Sequence, residues 1–260
     1  MKRLIPSSLR LKLKLILRFW ADVRSAQFHR IVRSAPKSIQ SLAETQGPYF
    51  EPRIEVVQAL KVASYSENKR QNLMIAATCI NNVVIQPDEI FSFWALVGAP
   101  IAKRGYLEGR ALVNGKLKAV MGGGLCQLSG ILYYLTLQAG LKPIERYSHS
   151  ADIYTDETRF TPLGSDATVV YGYKDLRFVN NLSQPMYFRI IITLDQITGQ
   201  LCTRDPITPY QIEFRVQKIP DNQRSTESHC TEVQTFRSPI MPNAQFNREQ
   251  LQPSDISYYR

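Results

Sequence analysis

One cysteine, one histidine and one aspartate stand out for their types and their order along the chain. Cys126 follows three glycines (Gly122, Gly123, Gly124) and a leucine, and precedes an apolar run with helical spacing at Leu128, Ile131, Leu132, Leu135 and Ala139. That places Cys126 at or just before a helix N-terminus. There, unpaired N–H groups and the positive end of the helix dipole favour a thiolate. A thiolate nucleophile needs a base within reach and a third group to orient that base. His149 and Asp166 follow in segments read as strands, so the three could meet if those strands pair beside the helix. Asp152 and Asp175 are competing acids. The plainer alternative is a small cysteine packed on glycines and a histidine satisfied in a turn.

Around the cysteine, Gly122, Gly123, Gly124, Gln127 and Ser129 are read as substrate-binding positions, the glycines because they admit close backbone approach. Ser129 could instead cap the helix. Phosphate binding by the glycine run is weak, because the Lys-Ser/Thr of a P-loop is absent. Three histidines without HxxxH or CxxC spacing give no expectation of a metal, and no cofactor is expected. The helix itself stops at Gly140, in the position of a left-handed cap, with Pro143 just beyond.

The elements needed to hold this constellation give an α+β fold, with helices on a mainly antiparallel sheet and a papain-like core of the NlpC/P60 or transglutaminase kind. Residues 68–80 read as a helix with Leu73, Ala76, Ala77 and Ile80 on one face. Strands are expected at 83–85 and 90–93. A hairpin over 111–113 and 116–120 turns at Asn114-Gly115. Further strands are expected at 144–150, 167–171, 176–179, 186–194, 200–203 and 210–216, with 186–194 central and 210–216 at an edge. Residues 218–260 are polar and read as a loosely ordered tail. Three units follow: a basic arm and linker over 1–53, an α+β domain over 54–217 and a C-terminal extension over 218–260.

Charge narrows the partners. The chain has 260 residues and a formal net charge of +10, yet residues 1–40 hold ten Lys/Arg against Asp22 alone and so supply +9. The remainder is near neutral, which argues against a nucleic-acid-binding domain. Residues 9–28 place Leu9, Leu13, Ile16, Leu17, Trp20, Val23 and Phe28 near one helical face. That face either packs on the domain, the ordinary outcome, or lies on an anionic membrane. The four cysteines suit free thiols rather than a disulfide framework, with Cys79 and Cys202 read as inert. No signal peptide or membrane span is apparent, so a cytoplasmic location, peripheral to the membrane through the arm, is expected.

Several segments together resemble the VanW family: Asn82-Val-Val-Ile-Gln-Pro-Asp-Glu-Ile-Phe-Ser-Phe-Trp, Gly105-Tyr106, Gly122-Gly-Gly-Leu-Cys-Gln-Leu-Ser, His149-Ser150, Gly164-Ser-Asp-Ala-Thr-Val-Val-Tyr-Gly and Asp175-Leu-Arg-Phe-Val-Asn. The resemblance runs from about residue 68 to 195. The family takes its name from a protein of vancomycin-resistance gene clusters, and its members are commonly secreted or membrane-anchored with wall-associated domains, features not visible in this sequence. Pro87-Asp88-Glu89 stands where the family has Pro-Gly-Glu, and Trp94 where Asn is usual, so the turn at Asp88 is expected to take another type. The resemblance implies a link to the bacterial envelope or to glycopeptide resistance but supplies no reaction. Two functions are therefore carried forward. One is a Cys/His hydrolase or acyltransferase acting on a peptide or cell-wall-precursor-like amide. The other is a non-catalytic binding or accessory protein.

Overall fold

The computed structural model describes residues 7–25, 30–32, 50–113, 116–149, 161–220, 229–241 and 252–259. In chain order the elements are α1 (Ser7–Ser25), β1 (Glu51–Ala59), α2 (Ser66–Ile80), β2 (Ile90–Ser92), α3 (Phe93–Val97), β3 (Glu108–Val113), β4 (Lys116–Met121), α4 (Leu125–Gln138), β5 (Lys142–Glu145), β6 (Arg177–Val179), β7 (Met186–Ile192), β8 (Gln196–Thr203), β9 (Tyr210–Pro220), β10 (His229–Pro239) and β11 (Asp255–Tyr259). The fold is α+β, and every named strand pair is antiparallel. The strands form three three-stranded sheets, ordered β1-β8-β7, β11-β10-β9 and β2-β6-β5, and the hairpin β3-β4. Among the described residues no helix is long and apolar enough to cross a membrane.

The centre is α4. Its apolar positions Leu128, Ile131, Leu132 and Leu135 are all fully buried, as their helical spacing requires. It lies on β8 at Gly199, where a Cβ would come within 2.4 Å of the Ile131 Cγ2. Gly140 ends it with φ +67°. The Gly140 amide donates to the Leu137 carbonyl (3.1 Å) and the Leu141 amide to Thr136 (3.0 Å), which is the Schellman pattern. Beside it Phe91 and Phe178 stack at 4.7 Å, and Phe188 meets both edge-on at 5.7 Å. The segment 186–192 is not central but an edge of its sheet. There Asn81, at the end of α2, donates to the Ile190 carbonyl (3.0 Å) and accepts from its amide (2.6 Å), so a side chain does the work of a neighbouring strand.

Several local expectations are corrected. Residues 167–171 form no ladder. They run extended beside α4, with an isolated bridge from Val170 to Lys174. The strand of 144–150 ends at Glu145, so His149 stands beyond it. Asp88 takes φ +63°, so the turn keeps its left-handed residue and an aspartate occupies it. The polar stretch after 218 is no loose tail where it is described. Residues 229–239 and 255–259 join 210–220 in a sheet. Its residues Phe214 and Val233 pack on Gly164, where a Cβ would lie 2.7 and 2.8 Å from their atoms. Polar composition there reflects strands with one wet face, which average hydropathy does not separate from disorder. The Asn114-Gly115 turn, Asp152, most of the linker, Phe28 and the side chain of Val23 lie outside what the structure describes.

The glycine run is clamped from below by Asn72 of α2, which is fully buried. Its amide donates to the carbonyls of Leu107 (2.9 Å) and Gly123 (3.0 Å), and its oxygen accepts from the Leu107 amide (2.8 Å). Asn72→Ala would leave the Gly123 carbonyl and the Leu107 amide without this partner, while the Leu107 carbonyl keeps the Gly122 amide at 3.0 Å. We expect a loss of about 3 kcal/mol, at about 1–3 kcal/mol per orphaned group with partial relaxation, read as a lower urea midpoint at unchanged slope.

Candidate active site

Cys126 is the second residue of α4, whose N-cap is Gly124 at φ +98° with no side-chain cap. The first-turn amides of such a helix have no carbonyl partners within it. The sulfur is half-buried, 3.5 Å from the Thr168 Oγ1 and 3.9 Å from the Val169 carbonyl. His149 lines the same cleft, near enough for its charge to act on the sulfur. Its Nδ1 lies 2.6 Å from the Asp166 Oδ2, and its backbone amide donates to the same oxygen at 2.7 Å. Nδ1 is thus committed to the carboxylate, which leaves Nε2 for the sulfur. The structure therefore joins His149 to Asp166 by hydrogen bonds and places Cys126 in the same cleft.

Charge follows from this geometry. Burial alone would push the Cys126 thiol up, but the hydrogen bond and charge of His149, then Thr168 and the Val169 carbonyl, outweigh it and hold the thiol below its ordinary value. Burial would likewise lower His149, yet its bonds to Asp166 and Cys126 push it up to about 10. Asp166 stays well below the usual carboxylate range despite burial, because His149, Arg146 and Tyr259 all favour its charge. The two shifts run together, the thiol toward its thiolate and the imidazole toward its imidazolium.

Asp175 is not the partner of His149. It accepts from Ser92 Oγ (2.7 Å), from the Trp94 amide (3.1 Å) and from the Leu176 amide (2.9 Å), with Arg18 3.8 Å away. Burial pushes it up to about 6. Cys202 is buried and its thiol is pushed up by that burial. Cys79 is partly buried against the core. All four cysteines are free. Among the described residues no three His, Cys, Asp or Glu side chains cluster as metal ligands.

Four residues that sequence reasoning missed, Arg146, Tyr133, Asp255 and Tyr259, hold the acid in place. Arg146 donates from Nε to the Asp166 carbonyl (2.8 Å) and from Nη2 to the Gly164 carbonyl (2.9 Å) and the Asp166 carboxylate (3.1 Å). From Nη1 it reaches Asp255 of β11 at 3.1 Å, and its guanidinium sits 4.7 Å over the Tyr133 ring. Tyr133 donates to the same Asp255 oxygen at 2.9 Å. The hydroxyl of Tyr259, also on β11, donates to Asp166 Oδ1, the oxygen that Arg146 meets and His149 does not. No local pattern marked them, because Asp255 and Tyr259 lie about a hundred residues from the groups they serve.

The residues read as substrate-binding divide. Gly124 and Gln127 line a cleft of about 450 Å³ that reaches Cys126 and His149 and is walled by Lys69, Arg110 and Leu112 among others. Gly122 and Gly123 do not line it. They are buried, and a Cβ on Gly123 would fall 2.1 Å from the Gly109 carbonyl. Their freedom serves backbone packing. Ser129 is buried too, and neither lines the cleft nor caps the helix. It donates to the Ala167 carbonyl at 2.6 Å, which pins the residue after Asp166. Gln127 donates to the Gln58 oxygen and the Ala59 carbonyl (both 3.1 Å), while its own buried oxygen has no partner among the described residues.

The family model for VanW like protein matches residues 68–202. The chain belongs to the VanW family. An uncharacterised protein of Bacillus subtilis strain 168, YoaR, is 35% identical over 160 residues, which is 60% of this chain and 48% of that relative. The vancomycin B-type resistance protein VanW of Enterococcus faecalis is 36% identical over 151 residues, 57% of this chain and 54% of its own. The chain thus spans about half the length of the curated relatives it matches. No solved structure matches it. The matched VanW segment contains Cys126, His149 and Asp166, whereas Asp255 and Tyr259 lie outside it.

Arg146→Met should destabilise the protein by about 3–5 kcal/mol, the usual result of removing one partner from a buried charge pair. It should also raise the pH of acid unfolding. Asp166 has a depressed folded pKa, so its contribution is present above its unfolded pKa of about 3.9 and lost as pH falls through the folded value. Without the guanidinium that loss begins at higher pH, which circular dichroism against pH would record.

Proposed function

We propose that the protein is a thiol-dependent hydrolase or acyltransferase acting on an amide of a peptide or cell-wall-precursor-like ligand. The observation that carries this reading is a cysteine and a histidine that line one cleft, with the imidazole held by a carboxylate that is itself held by Arg146 and Tyr259. The Cys126 sulfur attacks the amide carbon and forms a C–S bond. The negative charge that develops on the oxygen is met by first-turn amides of α4. The C–N bond breaks as His149 gives its Nε2 proton to the leaving nitrogen. Water, or an acceptor amine, then attacks the thioester carbon and loses its proton to His149. The carboxylic acid or new amide departs and the thiolate returns. Asp166 keeps the imidazole in the required tautomer and stays ionised throughout.

The order of nucleophile at a helix start, then histidine, then acid supports a papain-like arrangement by analogy of layout. The relative bearing a vancomycin-resistance name points to an envelope setting. The alternative, a non-catalytic accessory protein that binds its ligand in the same cleft, makes no use of an acidic thiol.

Iodoacetamide alkylation of Cys126, followed by peptide mapping against pH, separates the two. The thiol should react well below the ordinary midpoint of about pH 8.5. His149→Ala should move its midpoint upward. Asp166→Asn should weaken the imidazolium and move the midpoint in the same direction by less. An ordinary midpoint that ignores His149→Ala would leave the accessory reading standing.

A further inference from the structure

α1 has two apolar faces, and the domain uses only one. Leu11 and Leu15 pack on Gly172, where a Cβ would lie 2.4 Å from the Leu11 Cδ1. The Lys14 ammonium sits 4.3 Å over the Tyr173 ring, and Arg18 pairs with Glu145. At about 100° per residue, Leu9, Leu13, Ile16, Leu17 and Trp20 fall on the opposite side. All five are exposed, from 44% at Leu13 to 65% at Leu17. The stripe that the plainer sequence reading packs against the domain therefore faces away from it.

The charges tell what such a stripe fits. Arg10 and Lys12 are exposed and flank it on its two sides, and no acidic residue occurs before Asp22. An apolar stripe bordered by cations, on a helix too polar to span a bilayer, is the arrangement of a helix lying in the headgroup region of an anionic membrane. The apolar side chains would enter the acyl boundary while Arg10 and Lys12 meet lipid phosphates. A protein partner for the same stripe would not require cations on both borders.

We infer that α1 is a membrane-surface anchor, docked on the domain by Leu11, Leu15 and Arg18 and on anionic phospholipid by Leu9, Leu13, Ile16, Leu17 and Trp20. This is independent of the reaction proposed above. The test is co-sedimentation of the full chain with vesicles of equimolar phosphatidylglycerol and phosphatidylcholine, against phosphatidylcholine alone. Binding is expected to the anionic vesicles at low salt and to fall at about 1 M salt, where the Debye length is about 3 Å. The triple variant Leu13→Gln, Ile16→Gln, Trp20→Gln should lose about tenfold or more in partitioning, given the contribution of each buried apolar group. Its Cys126 alkylation profile should stay unchanged, which shows the fold intact. Absence of binding to anionic vesicles overturns the inference. So does binding that the triple variant retains, which would be bulk charge attraction, or a wild-type dimer that the variant converts to monomer, which would assign the stripe to a second copy.

Discussion

Arg146 is the contact on which the site depends. Its side chain is 6% exposed, and its five donors reach the loop before Asp166, the Asp166 carboxylate and the C-terminal strand. A carboxylate held away from water would ordinarily take a proton. With the guanidinium against one side and the Tyr259 hydroxyl on one oxygen, Asp166 stays charged and can fix His149. A protonated Asp166 would release the imidazole, and the imidazole would cease to lower the thiol. The acidity of Cys126 is thus inherited through three side chains from an arginine that never touches it.

Burial and hydrogen bonding oppose each other at every member of that chain. Burial raises a thiol, raises a carboxyl and lowers an imidazole. Each group shifts against the effect of burial because hydrogen bonds and an oppositely charged neighbour favour its charged form. Asp175 provides the contrast within the same molecule. It also accepts hydrogen bonds, from Ser92, Trp94 and Leu176, but its guanidinium is farther off and Glu145 lies near, so burial prevails and the carboxyl rises. Burial raises a carboxyl unless a cation makes close contact with it.

The scaffold achieves its positions by backbone contact more than by side-chain packing. Gly123 lies against Gly109, Asn72 bonds both strands of that approach, and Gly199 lets α4 settle on β8. Ser129 reaches from the helix to the Ala167 carbonyl, so the segment carrying Asp166 is fastened to the helix carrying Cys126. Cys126 and Asp166 are therefore set by one short span, and His149 follows on the chain leaving β5.

What the linear sequence determined was local. The spacing from Leu128 to Ala139, closed by Gly140, specified α4, and so the placing of Cys126 in a helix's first turn. It also made His149 the candidate base, with Asp152, Asp166 and Asp175 as competing acids. Three things lay beyond it. Whether Asp152, Asp166 or Asp175 met the imidazole depended on where the chain returns, and Asp166 is the one at His149. Glycines that looked suited to a ligand turned out to serve a neighbouring backbone, because both uses demand the same missing Cβ. The polar stretch after residue 218 concealed the strand that supplies Asp255 and Tyr259, because a sheet with one wet face has the composition of a tail. Long-range pairing alone separates these outcomes, and pairing is a property of the folded chain, not of any window along it.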